Sequence, residues 1–181
     1  NRVLTDHASD ILFAPTGLAK ANLIREGIEP SNVFLVGDVM YDVALQFTDE
    51  AAQKSKILER LGVEPGKYIA ATVHRAENTD HHNRLETIFN GLILVARDIP
   101  IVLPLHPRTR KSLQTIGLLD KVSQALNLVE PVGYLDMVAL EQNAQLIVTD
   151  SGGIQKEAFF YRVPCTILRE ETEWQELVDL G

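Results

Sequence analysis

Only one cysteine, Cys165, occurs in the 181 residues of this sequence. No internal disulfide can close, and a reducing cytoplasm is the expected location. Long apolar runs are missing too. None approaches the roughly 20 residues of a membrane-spanning helix, and the N-terminus lacks the charged-then-apolar pattern of a signal peptide, so no membrane partner is expected. Positive charge is short as well: 17 Lys and Arg against 25 Asp and Glu leave a formal charge of −8 and a pI near 5.1. That balance excludes the basic footprint of a nucleic-acid binder. It leaves room for a small anionic ligand, because local N–H groups and a few arginines decide such a site. The five histidines form neither H-x-x-x-H nor a Cys/His zinc pattern, so no metal site is expected. The signatures G-x-G-x-x-G, Walker A and G-x-S-x-G are absent, as are internal repeats and low-complexity segments.

What is present is ordinary for a globular protein, 45% hydrophobic and 23% charged. The length suits one domain, or one domain plus part of another. The chain starts at Asn1 rather than Met and stops just after a helical pattern begins, so it reads as a piece of a longer polypeptide. Helical character over Arg2–Ser9 leads to an apolar strand at Ile11–Ala14. Thr16 stands where a helix cap belongs, Gly17–Glu26 is amphipathic, and Gly27 is its stop. A second strand, Val33–Val36, is followed by Gly37-Asp38 and a helix near Tyr41–Ala44. The polar helical stretch Phe47–Arg60 is taken as the link between an N-terminal unit, residues 1–45, and a second unit, residues 46–181.

Strands are then expected at Tyr68–Val73, Ile101–Leu105, Leu128–Val129, Leu146–Thr149 and Pro164–Leu168. Helices at Arg84–Arg97, Thr109–Thr115, Asp120–Ala125 and Leu135–Asn143 separate them, the first with Asn83 and Glu86 at capping-box spacing. Continuous apolar strands alternating with helices call for an α/β fold, a Rossmann-like parallel sheet with helices on both faces. Ligands of such sheets bind beyond the carboxyl ends of the strands. The polar clusters fall there: His74-Arg75, His106, Glu130, Asp150-Ser151 and Arg169-Glu170.

The most informative stretch is Leu146–Glu157, a strand ending in Asp150, a Ser151-Gly152-Gly153 turn, and a helix from Ile154. Unpaired N–H groups and the helix dipole converge at such a turn, which favours an anion and most naturally a phosphate. The glycines admit close backbone approach, and Ser151 can cap the helix. Glu157, one to two turns on, suits ribose hydroxyls. His74 can hydrogen-bond a phosphate oxygen and pass a proton, and Arg75 offers a planar fork to an anion. Glu157, Glu170 and Glu173 are further carboxylates, although carboxylates on helices usually belong to solvated faces.

The strings H-R-A-E-N (74–78), L-H-P-R (105–108), E-P-V-G-Y-L-D-M (130–137) and T-D-S-G-G-I-Q-K-E (149–157) resemble, in this order, the non-hydrolysing UDP-N-acetylglucosamine 2-epimerases. The resemblance implies one half of a two-domain GT-B fold. It implies inversion at C2 of UDP-N-acetylglucosamine by elimination of UDP to 2-acetamidoglucal and its re-addition, with no nicotinamide, metal or other cofactor. In this likeness Ser151, Gly152 and Gly153 hold the diphosphate, Glu157 takes the ribose, and Val132 to Met137 embrace the uracil. His74 stands against the phosphates as the catalytic group, and Arg75, Glu77 and His106 match contacts to a second, activating UDP-sugar. The acid and base for C2 are expected upstream of Asn1, and the full-length protein is expected to be a homodimer. Two positions depart from the family's pattern. Trp174 replaces a UDP-binding arginine, so Arg169 or another group is expected to supply that charge, or the diphosphate to be held less tightly, and Met137 replaces an aromatic.

Overall fold

The computed structural model describes residues 1–172 and 174–180, so Glu173 lies outside the described residues. The chain begins with α1 (Arg2–His7), β1 (Leu12–Ala14), α2 (Gly17–Arg25), a 3-10 turn (Pro30–Asn32) and β2 (Val33–Leu35). The helices α3 (Val39–Lys54) and α4 (Ile57–Leu61) lead to β3 (Ile69–Thr72), α5 (Ala76–Thr79), α6 (His82–Val95) and β4 (Ile101–Pro104). Then come α7 (Pro107–Thr115), α8 (Leu119–Ala125), β5 (Asn127–Val129), α9 (Tyr134–Gln142), β6 (Leu146–Thr149), α10 (Gly152–Tyr161), β7 (Cys165–Ile167) and α11 (Gln175–Leu180).

β1 and β2 form a parallel pair, and the other five strands form one parallel sheet in the order β5-β4-β3-β6-β7. Alternate side chains of a strand point to opposite faces, and the core divides accordingly. Ile69, Ala71, Val73, Ile101, Leu103 and Leu105 bury one face against Leu85, Phe89 and Leu92 of α6, Leu113 of α7 and Val122 of α8. Ala70, Val102 and Ile147 bury the other against Ala51, Ile57, Val138, Leu140 and Ala158 of α3, α4, α9 and α10. Two helical layers thus enclose an apolar sheet, as the continuous apolar strands require. Full burial of a side chain such as Phe89 or Leu103 contributes about 1.5–3 kcal/mol.

The chain lays strands outward from β3 in one direction and then returns to its other side with β6. The pair β3 and β6 is therefore the topological switch point, where open α/β sheets leave a crevice. Their register pairs Ile69 with Leu146 and Thr72 with Thr149. Just beyond this register the two strand ends stay joined, His74 N donating to the carboxylate of Asp150, the residue before Ser151.

Three local expectations are corrected. The stretches near Tyr41–Ala44 and Phe47–Arg60 are one helix to Lys54 and a short second helix, α4. The break falls at Ser55, whose extended backbone lets its hydroxyl serve Ile57 N (3.2 Å) and bond Asp136 (2.6 Å). Helix α6 starts at His82 with His81 as its cap and no side-chain capping bond, so Asn83 lies inside the helix and the capping box does not form. Helix α10 begins at Gly152 rather than Ile154, and α5 was not foreseen. Thr16 caps α2 as expected, its hydroxyl accepting from Ala19 N at 3.1 Å. Gly37, at φ +86°, turns the chain from β2 into α3 through a backbone region costly for other residues.

Candidate anion-binding and histidine site

At the carboxyl end of β6 the backbone turns at Ser151 and enters α10. Ser151 is the N-cap, its Oγ accepting from Ile154 N at 3.5 Å while its own N–H bonds Thr149 Oγ1 at 2.9 Å. Gly152 and Gly153 form the first turn, where helical N–H groups have no partner within the helix. A side chain at Gly153 would start 3.6 Å from Met40 Cε and 3.8 Å from Ser151 Oγ, which is ordinary contact. Space for the fold alone therefore does not demand glycine there.

The second half of the site comes from β3. Asp150, the last residue before the turn, is fully buried. Its carboxylate accepts from His74 N (2.9 and 3.1 Å), Arg75 N (2.9 Å) and Asn78 Nδ2 (2.9 Å). The His74 ring stands above it, with Nδ1 3.4 Å from Asp150 Oδ1. His106, the N-cap of α7, accepts from Arg108 N at 3.1 Å through Nδ1 and places its ring 5.8 Å from that of His74. Asn78 also bonds the Leu168 carbonyl at 3.1 Å, so the histidine loop is tied to β6 and to the end of β7. Burial holds the His74 imidazole below the usual histidine range, helped by His106, Arg75 and Arg108, while Asp150 acts against them.

Glu157 lies half-buried on α10, and burial raises its carboxyl above the usual range, partly offset by the Tyr134 hydroxyl of α9. Val132 packs half-buried into the core beneath α9, and Met137 is half-buried within that helix. Behind Glu157 sits Glu141, 1% exposed, with no hydrogen-bond partner on either carboxyl oxygen. Burial first, and then the Glu157 charge, hold Glu141 well above the carboxylate range. Cys165 is pushed up to about 11 by burial and Glu141, so its thiol stays protonated.

The remaining expected residues divide. His74, Arg75, His106 and the Ser151-Gly152-Gly153 turn converge on the switch point. Arg169 pairs with Glu77, Nε to Oε1 at 3.0 Å, which joins a residue expected at the diphosphate to one expected at a second ligand. Glu170 holds Arg84 at 2.8 Å with an exposed side chain, a solvated pair. Trp174 turns inward: its Nε1 donates to the Gly152 carbonyl at 2.8 Å, and its ring lies 4.2 Å from Lys156 Nζ. Lys156 in turn is ion-paired with Asp38, the N-cap of α3, both side chains nearly buried. Asn78, Glu141 and Lys156 were not singled out from sequence, and Asp150 entered only as a member of a rim cluster, without a role. The one available signal was Asp150, a charged residue closing an apolar strand directly before a capped turn. Among the described residues no group of His, Cys, Asp and Glu is arranged to hold a metal, and no helix is long and apolar enough to cross a membrane.

A doubly covered parallel sheet with a serine-capped, glycine-opened helix at its switch point is the arrangement that phosphate- and nucleotide-binding α/β domains use. Comparison with known proteins narrows the class. The family model described as UDP-N-acetylglucosamine 2-epimerase matches residues 1–181, and the chain belongs to that family. A Methanococcus maripaludis protein named UDP-N-acetylglucosamine 2-epimerase homolog is 53% identical over 98% of this chain and 50% of its own length. The Pseudomonas aeruginosa UDP-2,3-diacetamido-2,3-dideoxy-D-glucuronate 2-epimerase is 47% identical over all of this chain and 49% of its own. The crystal structure of Methanocaldococcus jannaschii UDP-GlcNAc 2-epimerase with UDP-GlcNAc and UDP superposes with a TM-score of 0.91 at 45% identity, covering 99% of this chain and 51% of that one. The chain thus spans about half the length of the curated relatives it matches.

Proposed function

We propose that the protein containing this chain inverts C2 of UDP-N-acetylglucosamine, and that the chain supplies the UDP half of the site. The observation that carries the reading is the Ser151-capped glycine turn set beside His74 at the switch point, in a chain of this family. In this reading the first-turn N–H groups of α10 hold the diphosphate, Glu157 accepts from the ribose hydroxyls, and the backbone from Val132 to Met137 borders the uracil. A C2 proton is removed, the C1–O bonding pair departs with UDP, and 2-acetamidoglucal forms. UDP then re-adds at C1 while a proton reaches C2 from the opposite face. The groups that move the C2 proton belong to the other half of the protein, and His74 assists UDP in leaving and returning. Arg75, Glu77 and His106 are proposed contacts for a second UDP-sugar. The division near residue 45 into the end of a first domain and a second domain is part of the proposal, with α3 as the element crossing it. So are a homodimer, which sedimentation of the full-length protein would test, and a cytoplasmic location.

The 47% identity to a diacetamido-glucuronate epimerase favours a second reading of the sugar, with a further acetamido group at C3 and a carboxylate at C6. Both sugar nucleotides should be incubated with the full-length protein in heavy water. Deuterium at C2 of the epimer supports the reaction, and the faster substrate identifies the sugar. Sugar transfer to an acceptor, or no turnover of either, would sink it. Calorimetry with UDP should show binding that Ser151→Trp weakens, and unchanged affinity would remove the phosphate from this turn.

A further inference from the structure

His74 and the anion turn are joined by one buried side chain. Asp150 is fully buried and immediately precedes Ser151. A buried carboxylate is tolerated only when hydrogen-bonded. Here the donors are the N–H groups of His74 and Arg75 in the loop after β3 and the Asn78 amide of α5. The carboxylate therefore holds the histidine loop in place whatever the ring does. It also faces the ring: Nδ1 lies 3.4 Å from Oδ1, longer than a formed hydrogen bond but within ion-pair range. Such contacts in unliganded sites often tighten only in the complex. Nδ1 and Nε2 occupy opposite edges of an imidazole, so an Nδ1 edge turned to the buried carboxylate leaves Nε2 on the rim, where the side chain is 35% exposed. A nitrogen facing a carboxylate is the protonated one, so Nε2 carries the lone pair in the neutral ring.

The surrounding charges set the protonation state of that ring. It is faced by Asp150 at the end of β6, Arg75 from its own loop, and His106 and Arg108 from the start of α7. Burial and the last three favour the neutral ring, and among the described residues Asp150 is the charge that opposes them. A diphosphate in the Ser151 turn adds a second anion, now on the Nε2 side. With a carboxylate behind and a phosphate in front, the imidazolium becomes the favoured form.

Building on the proposed UDP site, we propose that Asp150 is a positioning residue that holds the Nδ1 edge of His74, so that Nε2 takes up a proton as a diphosphate enters the adjoining turn. The proton comes from solvent and goes to Nε2, and no other bond changes. A leaving diphosphate would then meet a cation already in place, and UDP affinity would fall as pH rises and that proton becomes scarce.

The test uses the full-length protein with UDP and, as a control lacking phosphate, uridine. Nitrogen-15 spectra of His74 in free wild-type protein should show the Nδ1–H tautomer, and the Nε2–H tautomer would overturn the proposal without any variant. Calorimetry near pH 7 in buffers of different ionisation heat should show uptake approaching one proton with UDP and none with uridine. In Asp150→Asn the uptake should vanish, the pH profile of kcat should shift, and kcat should fall about 100-fold, while uridine affinity stays. A merely structural Asp150 would lower uridine and UDP affinity together and leave uptake and pH profile unmoved, which refutes the idea. Should Asp150→Asn not fold, the wild-type tautomer and proton uptake still decide. Absence of UDP binding by the wild type would count against the proposed function, while the tautomer measurement would still judge the Asp150 contact.

Discussion

Glu141 offers the sharpest test of how this fold is held together. Its carboxyl is 1% exposed on α9, neither oxygen has a hydrogen-bond partner, and Leu140, Val138 and Ala139 beside it are buried in the core. Leaving a buried polar group unsatisfied costs about 1–3 kcal/mol. Glu141→Met keeps the side-chain length and replaces that group with apolar atoms, so the protein should gain about 2 kcal/mol in urea unfolding at pH 7. The pH dependence supplies an independent check. Burial and the Glu157 charge hold Glu141 above its ordinary value of 4.5, so the native state keeps a proton that the unfolded chain releases. Stability contributed by the neutral form is then complete below about pH 4.5 and declines as pH rises toward the native value. The decline is at most about 1.4 kcal/mol per pH unit for one proton. Glu141→Gln cannot ionise, so it should remove Glu141's share of the slope above about pH 4.5, leaving the part due to Glu157, whose carboxyl is raised in the same direction. Destabilisation by Glu141→Met of more than about 1 kcal/mol, together with an unchanged slope in Glu141→Gln, would refute this account.

Three further outcomes are expected. Asp38→Ala leaves the Lys156 ammonium nearly buried without its carboxylate and should cost about 3–5 kcal/mol; adding Lys156→Met should restore most of it, and simple additivity in the double-mutant cycle would argue against the pair. Trp174→Phe keeps the ring beside Lys156 but removes the bond to the Gly152 carbonyl. It should lower stability by about 1 kcal/mol, read from denaturant midpoints, and an unchanged midpoint would place no weight on that bond. Gly153→Ala meets only ordinary contacts and adds helix propensity, so stability should hold or rise by up to about 1 kcal/mol. On the proposed placement of the diphosphate, UDP affinity should nonetheless fall, and equal affinity would show that the glycine serves something other than the ligand.

Much of the fold was legible along the chain because its signals are local. Apolar runs such as Ile101–Leu103 and Leu146–Val148 declare strands buried on both faces, Thr16 and Ser151 declare helix starts, and Gly27 declares a stop. The break at Ser55 and the early start of α10 were not legible, since each depends on which backbone group a short polar side chain serves.

For the site, residue types and their order sufficed to place Ser151, Gly152, Gly153, His74 and His106 at strand ends and to indicate the family. What those residues touch emerged from the packed fold. Parallel register between β3 and β6 brings His74 onto Asp150, the residue before Ser151, across 76 residues of chain, and nothing local to either carries that information. Burial is likewise a property of the packed fold. Asp150 and Glu141 are both buried carboxylates, yet the first is held by three donor groups and the second has no hydrogen-bond partner. Trp174 and Arg169 show the same limit from the other direction. The family likeness put forward Arg169 for the charge that Trp174 lacks, but that Arg169 pairs with Glu77 and that the tryptophan sits on the glycine turn and Lys156 emerges only from packing. Residue order was enough for the fold class, the family and the rim on which the site lies, because those rest on local periodicity and short motifs. Which side chains are buried, paired or turned toward the glycine turn depends on strands distant in the chain coming side by side.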